Sequence, residues 1–363
     1  MSNLSFVGPA LVVAGLVART VAQGKRSQAR VRSSGPRPVS VHHDYDDPEL
    51  AELLKAAGRA DWDATAAVLR PCRDRGDHNR LIWLIGCIED HGGEFLVRVG
   101  ERRADDALAR TVCGARHVAW AWEARTRAQA SHVSREQFEL FHERLRMAEE
   151  HLYAAVELDP ESAAPWCSLT VASRGLQHGS DVTRRRFEAG VRRAPTDLGL
   201  HAAMLQQVCA KWGGSHEEMH AFARESLVKS PPGSGIGALT AFAHIEHWLD
   251  LPQVERGAYI RTPDVVEELR RAAAVSVLHA DYAPTESPFP ALNAFAMAFW
   301  LAGDLNSARP LFERIGDHPT RYPWGFYGNA GQAFANARQE CTKGKPSKPV
   351  PRAEKPKRSK QPK

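Results

Sequence analysis

The feature that most constrains this chain is a helix-closing proline that recurs on a nearly fixed step. Leu158-Asp-Pro160, Arg193-Ala-Pro195 and Lys229-Ser-Pro231 stand 35 and 36 residues apart. Phe187 and Phe222 keep the same step of 35, lying eight and nine residues ahead of Pro195 and Pro231. Proline ends a helix because it lacks an amide hydrogen and its ring meets the preceding turn, and it opens the next helix at no such cost. A step of ~34 residues is that of a two-helix unit, which buries its apolar face only by stacking on a neighbour.

Apolar residues within the units are spaced for helices. Leu198, Ala202, Leu205, Val208 and Trp212 make one stripe at steps of 4, 3, 3 and 4, and Leu239, Phe242, Ile245 and Leu249 repeat the pattern. Ser134-Arg-Glu-Gln137 and Ser215-His-Glu-Glu218 read as capping boxes, and Thr262-Pro263-Asp264 as a further helix start. No run from Pro48 onward alternates apolar and polar residues in the manner of a strand. The expected fold class is all-α.

Pro165-Trp166-Cys-Ser-Leu169 looks like the opening of a tetratricopeptide first helix. Trp300-Leu-Ala-Gly303-Asp304, followed by Ala308, Phe312 and Pro319, is similar to that family's inter-helix turn and second helix. The resemblance covers 160–232 and 290–320, extends to 49–70, and fades over 71–130; the stretch 114–158 holds an overlong second helix. It implies a tetratricopeptide-like α-solenoid of stacked helix hairpins. Residues 44–338 also resemble a bacterial family of this type, from which no activity carries over.

Charge divides the chain into three parts. Residues 1–43 carry six Arg or Lys and no acid, and 343–363 carry nine against Glu354 alone; without these ends the formal +5 becomes −9 for 44–342. The basic balance therefore belongs to the ends and gives no argument for a nucleic-acid-binding fold. Residues 1–43 are expected to be an apolar segment with a disordered basic linker, 44–342 the helical-repeat domain, and 343–363, with five prolines, a disordered tail. By charge alone that tail is suited to nucleic acid or anionic lipid.

The apolar run Phe6–Ala18 lacks the basic start and the cleavage site of a signal peptide, and Arg19 stops it short of a spanning length. The expected compartment is the cytoplasm. The alternative is an anchor over residues 4–22 with the body on the cytoplasmic side. Six cysteines without a C-x-x-C pair fit a reducing compartment, five as small apolar helix residues and Cys341 as an exposed thiol near the tail.

The sharpest chemical motif is His216-Glu217-Glu218-Met219-His220. On a helix its two histidines lie one turn apart and suit zinc, with Glu217 as general base and His244 or Glu246 as third ligand. The competing reading, which is preferred, is a capped first turn: Ser215 caps, Glu218 completes the box, and early acids suit the helix dipole. His42-His43-Asp44-Tyr-Asp46-Asp47 offers metal-friendly groups at a linker junction without a rigid frame. In Trp120-Ala-Trp122-Glu123-Ala-Arg125, one ring is expected in the core and the other beside Arg125 on a groove. No phosphate-binding glycine loop or hydrolase elbow occurs.

The sequence therefore predicts a non-enzymatic scaffold that needs no cofactor or metal. Arg174, Gln206, His244 and His247, on the first helices of their units, are the expected contacts for a partner protein or peptide. The rival is a zinc-dependent hydrolase built on His216, Glu217 and His220.

Overall fold

The computed structural model describes residues 35–41, 46–88, 94–125 and 134–343. The apolar segment 4–22, the His42-His43-Asp44 part of the junction, the Arg125 side chain and the tail after Lys343 lie outside the described residues, as do the expectations attached to them. Among the described residues the regular elements are all helical. The chain opens with α1 (Pro48–Gly58), α2 (Trp62–Asp74), α3 (His78–Ile88) and α4 (Glu94–Arg102). Paired helices follow: α5 (Ala107–Arg125) with α6 (Arg135–Leu158), α7 (Ala164–Leu176) with α8 (Ser180–Val191), and α9 (Leu198–Gln207) with α10 (His216–Lys229). Then α11 (Ala238–Asp250) pairs, after an inserted α12 (Gln253–Ile260), with α13 (Pro263–Val275), and α14 (Phe289–Ala302) pairs with α15 (Leu305–Ile315). The short α16 (Arg321–Trp324) and α17 (Ala330–Lys343) follow.

The pairs stack in chain order. First helices touch successively, α5 on α7, α7 on α9, α9 on α11 and α11 on α14, while each second helix also meets the next first helix. The turn between α14 and α15 shows how local chemistry sets this geometry. Gly303 takes φ +77°, open to glycine without strain, and Asp304 caps α15 by accepting from the Ser307 N–H at 3.3 Å. Ala308 is fully buried where the helices approach, and Phe312 lies between Trp324 and Phe334 at centroid distances of 5.8 and 5.3 Å. Ser134 and Gln137 close a reciprocal box at the start of α6. At Thr262 the hydroxyl instead donates back to the Tyr259 carbonyl, so α13 starts on Pro263 without a side-chain cap.

First and second helices are buried to different extents. Eleven of thirteen residues of α7 and ten of fourteen of α14 are buried, against four of thirteen in α13 and four of eleven in α15. A helix apolar all round needs cover on every side. Part of that cover is the chain's own N-terminal region. Helix α3, with eight of eleven residues buried, lies against the first helices α5, α7 and α9. Asn79 donates to Thr196 at 3.1 Å, and Asp77 accepts from Thr285 at 2.9 Å. Arg80, 8% exposed, fixes the approach by binding Asp47 and Glu49, each at 2.7 Å. Asp46 meets His318 at 2.7 Å, and Gln332 on α17 donates to the Pro36 carbonyl at 3.0 Å. The stack is therefore closed along its first-helix side by a strap running back from α17.

Three expectations are corrected. Residues 35–41 are not free linker: the Val39 N–H donates to the Gly331 carbonyl, and a Cβ at Gly331 would stand 1.8 Å from the Val39 oxygen, so only glycine admits the strap there. Cys341 is fully buried, because α17 packs it inward with Phe334 and Ala337. The stripe 198–212 is not one helix: α9 stops at Gln207, Cys209 is extended, and Trp212 sits on a separate 3-10 turn packed on Trp122.

Candidate functional site

The histidines singled out in the sequence come together. Ser215 Oγ accepts from the Glu218 N–H at 3.0 Å and starts α10, so His216 and His220 fall one turn apart on the side that meets α11. Helix α11 brings His244 and His247 to them, the inserted α12 adds Tyr259, and α13 adds Glu268. The His216 and His247 rings stack at 3.9 Å with 7° between planes. His220 Nε2 lies 3.1 Å from His247 Nδ1 and 3.2 Å from the Tyr259 hydroxyl. That hydroxyl is 2.7 Å from His244 Nδ1, and His244 Nε2 reaches Glu268 at 3.3 Å.

One proton assignment satisfies the chain of contacts. His244 Nε2–H donates to the Glu268 carboxylate, the Tyr259 O–H donates to His244 Nδ1, and His220 Nε2–H is shared between the Tyr259 oxygen and His247 Nδ1. Burial, reinforced by the charges of His244 and His247, pushes His220 down to about 3. Burial and its His216 and His244 neighbours push His247 down to about 4, and the hydrogen bond from His244 holds Glu268 at about 2. His220 and His247 are therefore held neutral at ordinary pH, beside the ionised carboxylate of Glu268. His216 Nε2 is also engaged, by Asp250 at 3.0 Å, and Glu217 is exposed. A zinc ion on His216 and His220 would displace these partners, and Glu217 stands on the solvent side of α10.

The other expected partner contacts are placed elsewhere. Arg174 is 3% exposed; it donates to the Ala203 carbonyl at 3.1 Å and lies over the Trp122 and Trp212 rings. Gln206 is 2% exposed and donates to Glu246 at 3.0 Å, and Lys211 reaches the other Glu246 oxygen at 2.7 Å. His244 is buried and His247 half-buried. Arg174 and Gln206 thus line the seams between stacked first helices, while His244 faces α10, α12 and α13 inside the histidine cluster. Of the two tryptophans on α5, Trp122 is in the core, and Trp120 is half-buried between the guanidinium groups of Arg116 and Arg144 at 4.8 and 4.5 Å.

A second cluster was not anticipated. Cys113 and His117 on α5 and His151 on α6 are all buried and close together. Its only sequence signal is a cysteine and a histidine four apart on an apolar helix, the third member lying 34 residues on. No protein-family model matches the chain, and no curated protein matches it. Among the described residues no helix is long and apolar enough to cross a membrane.

Proposed function

We propose that this protein is a non-enzymatic, tetratricopeptide-like scaffold of the cytoplasm that holds a partner protein or peptide. The observation that carries this reading is the docking of α3. The first helices α5, α7 and α9 together accept a helix with eight of its eleven residues buried, so the stack has the shape and apolarity to grip a helical segment. Since the chain fills that face itself, the second helices are left for a partner. Leu140, Tyr153 and Leu158 on α6 are 38–46% exposed there. The basic tail would add charge attraction to an anionic partner. The hydrolase alternative has weaker support, because Nε2 of His216 and Nε2 of His220 are both engaged and Glu217 is exposed.

The test is affinity capture with the full chain, followed by cross-linking mass spectrometry. The reading predicts a stoichiometric partner whose cross-links fall on α6, α8 and α10. It is overturned if no partner is retained while the purified chain hydrolyses peptides or esters in a manner abolished by His220→Gln.

A further inference from the structure

We propose that Cys113, His117 and His151 bind a single zinc ion inside the α5–α6 hairpin, tying the two helices together. This goes beyond the scaffold reading and does not depend on it. Cys113 and His117 stand four apart on α5, which puts their donor atoms on one side of the helix, and His151 approaches from α6. One donor atom from each lies within 4.8 Å of the other two. The residues are 0, 2 and 8% exposed, so these are not surface groups that happen to meet.

His117 supplies the second, independent observation. Neither of its ring nitrogens has a hydrogen-bond partner among the described residues, although both are buried. Buried imidazoles are ordinarily held by at least one bond, and an orphaned one aimed at a thiol and a second imidazole lacks a ligand rather than a neighbour. Its ring lies nearly parallel to that of His151, at 5.7 Å and 15°. A thiolate with two imidazoles is a borderline-soft donor set that suits zinc.

The surrounding charges show what binding requires. Cys113 donates its S–H to the Val97 carbonyl at 3.5 Å, and burial pushes the thiol up to about 12. Binding therefore breaks the S–H bond, forms a sulfur–metal bond and releases one proton to solvent, with no change of oxidation state. Arg110 donates to His151 Nδ1 at 2.9 Å. A metal on either nitrogen of His151 removes that contact, since a ring ligated at Nε2 carries its proton on Nδ1. Arg110 is half-buried and can turn to solvent. Arg116 and Arg144 also act against a cation at His117, while Glu101 on α4 acts in its favour at both Cys113 and His151. Three protein ligands leave a fourth position, which water completes.

The test uses the full chain, stripped of metal with chelator, checked for helicity and titrated with cobalt(II) as a spectroscopic stand-in. The expected result is one equivalent bound with a thiolate-to-cobalt charge-transfer band, bleached by one equivalent of zinc. Cys113→Ser should abolish the band and His117→Gln weaken binding by at least about tenfold. Arg110→Gln should tighten binding, and His220→Gln should leave the band unchanged. Absence of the band in the folded wild-type chain overturns the proposal, as does a band that survives Cys113→Ser. Should Cys113→Ser fail to fold, Arg110→Gln decides: unchanged or weaker cobalt binding in that variant overturns the assignment.

Discussion

The two histidine clusters use the same side chain in opposite circumstances. Between α10 and α13 each histidine has at least one ring nitrogen held by a neighbour, and Glu268 anchors the network. Between α5 and α6, His117 has neither nitrogen held. Burial alone does not separate them, since His220 and His117 are both buried and both pushed down, to about 3 and about 4. Partnership does. A satisfied polar network specifies the packing around it, whereas an unsatisfied buried ring is either a standing cost or a place for a ligand.

The largest test of this contrast is Phe222→Ala. Phe222 packs edge-on to Phe187 at 5.5 Å, two residues beyond His220. Removing a buried phenylalanine costs about 3–5 kcal/mol. Stacked units lean chiefly on their neighbours, so hydrogen exchange should quicken over 197–250 while zinc affinity at Cys113 holds. Uniform loss of protection would mean that the strap closing the stack has made it one cooperative core.

Acid should come next. His220, His247 and His117 have folded values below the ordinary ~6.5 of an exposed histidine. Their neutral forms contribute stability in full above pH ~6.5, and it is lost as pH falls toward about 4 for His247 and His117 and about 3 for His220. Denaturation midpoints measured in chelator from pH 7.5 to 4.5 should fall steadily, and His220→Gln should flatten the curve. A curve unchanged by that substitution would show that His220 protonates in place.

The sharpest comparison pairs Tyr259→Phe with His117→Leu. Removing the Tyr259 hydroxyl strands Nδ1 of His244, takes one of two contacts from Nε2 of His220, and should cost about 1–3 kcal/mol. His117→Leu removes nothing that is bonded and should be neutral or stabilising in chelator. In zinc it should become destabilising, because the wild type alone gains from the metal. If His117→Leu costs as much as Tyr259→Phe without metal, the ring has a partner and the contrast fails.

Much of the fold is legible locally. The Gly303-Asp304 turn, the Ser134–Gln137 box and the Pro160, Pro195 and Pro231 period depend on neighbours within a few residues, and the helices follow them. What was not legible depends on distance along the chain. Helix α3 reads like any apolar helix, and only its packing on α5, α7 and α9, with Asn79 meeting Thr196 in the loop before α9, shows that it covers the first helices. The stacking of first helices on one another buries Arg174 against Ala203 and Trp122 and Gln206 against Glu246, although as isolated polar residues they look fit for solvent. His216–His220 and His244–His247 were visible as two pairs, but nothing in their spacing joins them. Cys113 reads as a small apolar residue because its partner His151 is on another helix.

The smallest expected effect is that of Ser215→Ala, and it tests whether the clusters are independent. Ser215 holds the Glu218 N–H at 3.0 Å, and loss of such a cap costs about 1 kcal/mol. The damage should stay in the first turn of α10. His216, half-buried, should lose its pairing with Asp250 and its stack on His247, while His220, one turn deeper and 9% exposed, keeps its contact with Tyr259. Proton NMR of the imidazoles should therefore shift for His216 and hold for His220, because the cap orders only the residues that have no other anchor. The cobalt spectrum should not move, since α10 contributes nothing to the α5–α6 hairpin. A shift in the cobalt band on loss of this hydroxyl would mean that the two clusters communicate through the first-helix stack, and that partnership at one governs ligand binding at the other.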